Sequence, residues 1–483
     1  MKKWILPLIL ALSFLLRVLA LDKFPVGFTP DEASFGYDAY SILKTGKDQW
    51  GNAFPLVLKS FGDYKAPVYA YLTIPSVSIF GLTKFAVRLP NALIGTLAVY
   101  VLYLLSNKLF FNKKYGILIA FLLAISPWHI MMSRGAFEAN LITLFLPLGI
   151  YLFLIEKYYL SVIIFGVNMF TYHSAKLITP LILVLLLVFF KNNLSKKIFK
   201  PLLVFGLFVI LTIYTFNLGA GARVAERSIT NGALEDGAKA KIVLIQNGMN
   251  PTLAKLLHNK YQVVASRFIN NYIQYFSPRF LILDGPAETT YGMVKGFGVL
   301  SYIEIIGLLF FIINFKKFKD KKIIYFLILW LLTSPLPASL STGVGYAANR
   351  AISMIPVLQI LAGLGIYKLI ESNKNAKYLL GLAVIFGFIV FFQKYLIESP
   401  IKSADGMLSG NLEKVIEIIN NSDKFDEIII SKTLSEPHIY IAFAGRIDPR
   451  FYQEETKLWK FEEIGFNWVD QMPEYRLGKY VFK

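Results

Sequence analysis

The sequence predicts an all-α polytopic membrane protein with a small α/β domain at its C-terminal end, and three observations carry that prediction. Of its 483 residues, 55% are hydrophobic and only 17% charged, against about 25% charged in soluble domains. The apolar residues gather into about eleven runs near the ~20 residues that cross a hydrocarbon core about 30 Å thick. The basic excess, 50 − 31 = +19, falls in the connections between runs rather than on any one face.

The same figures exclude other classes. Aromatic residues make up 15% of the chain, too many for a disordered segment. Cys is absent, so there is no disulfide framework, thiolate metal site or cysteine nucleophile. Because the charge is a topology signal, no nucleic-acid partner is expected.

The runs are 5–21, 86–106, 115–133, 138–156, 159–175, 177–190, 201–217, 297–314, 323–340, 351–370 and 378–397. Lys2 and Lys3 precede the first. Lysines then recur after every second run: Lys108, Lys113 and Lys114; Lys157; Lys191, Lys196, Lys197 and Lys200; Lys316, Lys317, Lys319, Lys321 and Lys322; Lys368, Lys374 and Lys377. By the positive-inside rule these connections and the N-terminus are cytoplasmic, in a cell (inner or plasma) membrane. Val18-Leu19-Ala20 would also suit cleavage of a signal peptide, but the run is long for that, and removing it would cost the alternation an inward anchor.

Three long segments then lie outside: 22–85, 218–296 and the tail. Ala66 to Leu82, interrupted by Pro67 and Pro75, reads as one or two helices lying in the membrane interface. The chain divides into a transmembrane domain, 1–397, and a small extracytoplasmic domain, 398–483. In the latter, Asn411 to Asn421 has an amphipathic helical period, while Glu427 to Ser431 and Ile439 to Phe443 read as short strands.

Ionisable groups at the outer face are few. Asp31 and Glu32 follow Pro30 at a helix start; neighbours on a helix cannot face one way, so one carboxylate can enter a cavity as a base while the other caps, unless both merely cap. Lys65, beside Tyr64, is either a phosphate contact or a snorkelling cation. Arg134 and Glu138 sit four apart after the third run, which also fits a plain ion pair. His173 closes the fifth run, and Arg350, after Asn349, stands at the mouth of the tenth, where a guanidinium fork suits a phosphate. There is no Walker loop, HExxH or GxSxG, and mid-span charges are nearly absent apart from Glu304.

At these residues the chain resembles the C-type-fold membrane glycosyltransferases, the group of the dolichyl-phosphate-mannose protein mannosyltransferases and the aminoarabinose lipid A transferase. The resemblance, over about residues 5–370, rests on an order: the early acidic pair, Tyr64-Lys65-Ala66-Pro67, Val87-Arg88-Leu89-Pro90, Ser133-Arg134 with Glu138 downstream, and Asn349-Arg350. It implies inverting transfer of a sugar from a polyprenyl-phosphate carrier to a lipid, glycan or protein acceptor. It also implies Asp31 as catalytic base, Glu32 as its catalytic partner that positions it or binds the sugar, Lys65 and Arg350 on the donor phosphate, and Tyr64, Arg88, Arg134, Glu138 and His173 on the cavity wall. No cofactor is certain, although the two carboxylates suit Mg²⁺ or Mn²⁺. The chain departs from the group where Gly345-Tyr346-Ala347-Ala348 replaces a segment that often carries a His, and it lacks the Trp-Trp-Asp motif of oligosaccharyltransferases. A pyrophosphate-donor polymerase or ligase using Arg223, Arg227, Arg267 and Arg279, or a lipid-glycan flippase, are the competing expectations.

Overall fold

The computed structural model describes residues 3–191, 196–221, 227–286, 294, 296–342 and 347–483. Its frame is a set of apolar helices. The first ten are α1 (Ile5–Val18), α2 (Pro30–Thr45), α3 (Val68–Phe80), α4 (Lys84–Phe110), α5 (Lys113–Ile125), α6 (Pro127–Met132), α7 (Ile142–Leu154), α8 (Tyr158–Met169), α9 (Ala175–Phe189) and α10 (Phe199–Thr215). Helices Tyr302–Ile313, Lys321–Thr333, Met354–Ser372 and Ala376–Gln393 follow. Each expected run falls on one of these helices, except 115–133, which is divided between α5 and α6, and α3 lies where the interfacial segment is expected.

The expected count of eleven crossings is not reproduced by length alone. Among the described residues five helices are long and apolar enough to cross a membrane: Lys84–Phe110, Phe199–Gly219, Lys321–Ser339, Met354–Ser372 and Ala376–Lys402. The others are shorter because the sequence breaks them. Helix α5 stops at Ser126, and Pro127 restarts the chain as α6, since proline supplies no N–H and disfavours the helical conformation before it.

Packing explains some of the polar residues inside the spans. Pro90 interrupts the bonding of α4, and next to it Asn91 donates to the carbonyls of Met132, Gly135 and Phe137 at 2.8, 2.7 and 3.2 Å, tying α4 to the turn after α6. Helices Tyr302–Ile313 and Met354–Ser372 cross backbone to backbone, as small residues permit in lipid. A Cβ added at Gly365 would lie 1.9 Å from the Gly307 carbonyl oxygen. Gly365→Ala is therefore expected to lower thermal stability by about 1–3 kcal/mol, read as the melting temperature in detergent; an unchanged melt would refute this crossing.

The second long connection carries helices Ala233–Gln246, Pro251–Leu257 and Lys260–Gln274. Leu234, Ile242, Leu256, Tyr261 and Ile273 on them are exposed.

In the tail, helix Asn411–Asn421 matches its expected bounds, and three strands form one sheet. Strand Ile428–Ile430 runs parallel to Tyr480–Phe482, which pairs on its other side antiparallel to Tyr475–Leu477. The strand expected over Ile439 to Phe443 is instead helix Pro437–Ala444. Pro437 presets the first helical turn, and all of Pro437 to Phe443 is buried, so hydrophobicity without alternation fits a core helix as well as a strand.

The tail docks on α2. The Tyr37 hydroxyl donates to the Ile447 carbonyl at 2.9 Å, Gln453 Nε2 to Ser41 Oγ at 3.0 Å, and the Tyr440 hydroxyl to the Phe28 carbonyl.

Candidate active site

Thr29-Pro30-Asp31-Glu32 builds the start of α2. The Glu32 backbone N–H donates to Thr29 Oγ1 at 3.3 Å, and the Thr29 N–H donates back to Glu32 Oε2 at 3.2 Å, a reciprocal cap with Pro30 in the first turn. Turned inward by this cap, Glu32 is fully buried. Arg88 of α4 meets it with Nε 2.8 Å from Oε1 and Nη2 3.0 Å from Oε2. The Ala136 N–H donates to Oε1 at 3.1 Å. Enclosed in this way, Glu32 fits the positioning of Asp31 rather than contact with a sugar.

Asp31, about 100° further round the helix, faces the other way and is 55% exposed. Lys65 reaches it: Nζ lies 2.6 Å from Asp31 Oδ1, while the lysine side chain itself is only 4% exposed. A short hairpin fixes the lysine, with Leu58 opposite Lys65 and Lys59 opposite Tyr64. Its ammonium stands 4.9 Å from the Phe61 ring and 5.1 Å from the Phe35 ring, aromatic faces that favour a cation where water is scarce.

From the hairpin a chain of contacts leads to the late segment. His173 Nε2 bonds the Tyr64 carbonyl at 2.9 Å, and the neighbouring Tyr172 hydroxyl accepts from Asn349 Nδ2 at 3.0 Å. Arg350, half-buried, donates from Nη1 to Ser341 Oγ at 3.1 Å and to the Thr342 carbonyl at 3.0 Å. Asp31, Lys65, Tyr64 and His173 are thus brought together, with Asn349 joined through Tyr172. Gly345 and Tyr346 lie outside the described residues, and Glu138 sits half-buried in a 3₁₀ turn before α7.

Two expected cavity residues are framework instead. Besides Glu32, Arg88 donates to the carbonyls of Leu21, Pro25 and Gly27 at 3.1, 3.0 and 2.7 Å. Arg134 is 4% exposed and donates to the carbonyls of Leu16 and Leu19 at 2.8 and 2.7 Å and to the Tyr395 hydroxyl at 3.1 Å. Both guanidiniums neutralise the frayed end of α1 and the loop after it, where carbonyls have no helical partner. Arg17, which sequence reasoning missed, does similar work inside, on the carbonyls of Ala124 and Leu123 and on His129.

The arginines of the second connection are engaged locally: Arg267 pairs with Asp236, and Arg279 with Asp284; Arg223 lies outside the described residues. Glu304 caps its own helix through Ser301 and accepts from Gln359 Nε2 at 2.6 Å.

Lys65 lies on one carboxylate and Arg88 on the other, so a cation between Asp31 and Glu32 would meet two positive groups. Among the described residues, one group has metal-ligand chemistry: Glu436, His438 and Asp470. Burial first, then Asp470, pushes the Glu436 carboxyl up to about 9; burial pushes His438 down to about 3.

Residues 64–216 match the family described as dolichyl-phosphate-mannose-protein mannosyltransferase. No curated protein matches the chain. Among solved structures, ArnT from Cupriavidus metallidurans bound to undecaprenyl phosphate superposes with a TM-score of 0.54 at 14% identity, over 98% of this chain and 95% of that one. The Archaeoglobus fulgidus oligosaccharyltransferase, crystallised with Zn and sulfate, gives 0.51 at 15% identity, over 91% of this chain. Its AglB complex with an inhibitory peptide and a dolichol-phosphate gives 0.50 at 14% identity, over 92%. This chain spans only 61% and 64% of the length of those two archaeal chains. The chain shares its fold with these structures.

Proposed function

We propose, from this shared fold and from the Asp31–Lys65 pair at the head of α2, that the protein is an inverting membrane glycosyltransferase. It moves a sugar from a polyprenyl-phosphate carrier to a lipid, glycan or protein hydroxyl at the outer face of the cell membrane, with its N-terminus cytoplasmic. The single observation that carries the reading is the exposed Asp31 carboxylate held 2.6 Å from the buried ammonium of Lys65, a base and an anion-binding cation side by side.

The chemistry follows from that pairing. A donor phosphate entering the site competes with Asp31 for Lys65, so seating the donor frees the Asp31 oxygens for the acceptor. The acceptor hydroxyl oxygen then attacks the anomeric carbon as its proton passes to Asp31. The bond from the anomeric carbon to the phosphate oxygen breaks on the opposite face, and polyprenyl phosphate leaves with its new charge against Lys65. Arg350 adds a second cation on the phosphate side. Glu32, held by Arg88, fixes the helix start that aims Asp31, and a tail kept in lipid presents the sugar head at this level.

The test is release of polyprenyl phosphate from a panel of polyprenyl-phosphate sugars by the protein reconstituted in lipid. Release is expected from at least one donor, and Lys65→Met is expected to reduce kcat by ~10²–10³-fold, the scale for losing one charge-stabilising group. No release from any donor by folded protein would overturn the reading.

A further inference from the structure

The Glu436, His438 and Asp470 group lies outside the transfer chemistry, and its parts face one another. One ligand atom from each lies within 4.8 Å of the others. His438 Nδ1 is 3.9 Å from Glu436 Oε2; the Tyr475 hydroxyl donates to Asp470 Oδ1 and so accepts from Nδ1 at 3.0 Å, two bonds that an ion at these atoms would replace. The Glu436 N–H donates to Asp470 Oδ2 at 2.7 Å, holding the two acidic segments together. Glu436 is 8% exposed and His438 is not exposed at all, yet Glu436 Oε2 has no hydrogen-bond partner among the described residues. A buried carboxyl oxygen left without a hydrogen-bond partner is costly, and a metal ion that displaces the carboxyl proton would satisfy it.

Two acids, Asp31 and Asp63, and two bases, Lys65 and Lys432, surround the ligands, so their charges offset and what a cation meets is set by the two ligand carboxyls. The imidazole is also set in orientation, its ring packed edge-on against Phe61, Trp459, Tyr475 and Phe482 at centroid distances of 5.5, 5.0, 5.5 and 6.2 Å. Orienting a ligand before the ion arrives is what outer-shell partners do in metal sites.

We infer that Glu436, His438 and Asp470 form a binding site for a divalent transition metal of the zinc class, between the C-terminal domain and the first long connection. The donor types decide the class: one nitrogen and two carboxylates suit Zn²⁺, with bonds of about 2.0–2.2 Å, whereas Mg²⁺ takes oxygen ligands in an octahedron. Closing the triangle onto one ion with bonds of that length needs the ligand atoms to draw in by ~1 Å. The ion would join helix Pro437–Ala444 to the Asp470 turn, whose neighbour Val469 donates to the Phe61 carbonyl at 2.8 Å.

The measurement is metal content and melting temperature of the full-length protein, purified without a histidine tag in lipid nanodiscs, after chelation and after adding back Zn²⁺ or Mg²⁺. Wild type is expected to hold about one zinc per chain and to melt higher with Zn²⁺ but not Mg²⁺. Glu436→Gln and Asp470→Asn, near-isosteric changes that spare the aromatic core, are expected to lower zinc affinity at least ~10-fold. Asp31→Asn is expected to keep it, so this site stands or falls separately from the transfer reaction. No stoichiometric zinc in wild type, or undiminished binding in both variants, would overturn the assignment. Should a variant not fold, the visible absorption of Co²⁺ added to wild type replaces it: bands of an N/O-ligated low-coordinate ion support the site, and the spectrum of aqueous Co²⁺ refutes it.

Discussion

Asp31→Asn is expected to abolish sugar transfer, lowering kcat by ~10²–10⁴-fold, the range for removing a positioned general base, while leaving the protein folded. The amide keeps the size of the carboxylate but does not take the acceptor proton. The stability cost is small because Asp31 is 55% exposed, and exposed ion pairs contribute about 0–1 kcal/mol. Lys65 keeps its place between Phe35 and Phe61, so donor binding is expected to persist. The variant should therefore lose turnover with donor affinity little changed, measured by release of polyprenyl phosphate beside donor binding. Full turnover in Asp31→Asn would remove the base from Asp31 and the mechanism with it.

Arg88→Met is expected to have the largest effect on stability. Both members of the Arg88–Glu32 pair are fully buried, and removing one partner of such a pair costs about 3–5 kcal/mol because the other charge stays behind unpaired. Three loop carbonyls lose their donor as well. The variant is expected to elute as aggregate in detergent or to melt far below wild type. The double variant Arg88→Met with Glu32→Gln is expected to recover part of the loss, since no buried charge then remains. A wild-type melt in Arg88→Met would show that the pair does not hold the head of α2.

The helical frame was legible because two independent signals, run length and lysine alternation, agree along the chain. The length of each helix was not, since breaks such as Ser126-Pro127 shorten helices inside continuous apolar runs. At the site, helical geometry alone showed that Asp31 and Glu32 cannot face one way, but not which of them caps nor whether both do. What linear order conceals is where a guanidinium aims. Arg88, Arg134 and Arg350 look alike in sequence, yet the first two spend their donors on carbonyls around α1 and its loop, which only the fold brings near. The same applies to Glu436, His438 and Asp470. Their one sequence signal is a lone His, among four in the chain, two residues after an acid in an apolar stretch; the third ligand is 32 positions away from that His (470 − 438).

The docking of the tail on α2 bears on how the protein is made. Tyr37 and Ile447 are 410 residues apart, and Phe28 and Tyr440 are 412. At about 5–20 residues per second, the head of α2 is synthesised ~20–80 s before the helices that cover it. In that interval Phe28 and Tyr37, which end packed against Phe443 and Tyr452, lack those partners, a task for a chaperone at the membrane or for lipid. The head of α2 is thus completed last, after every intervening helix has been synthesised.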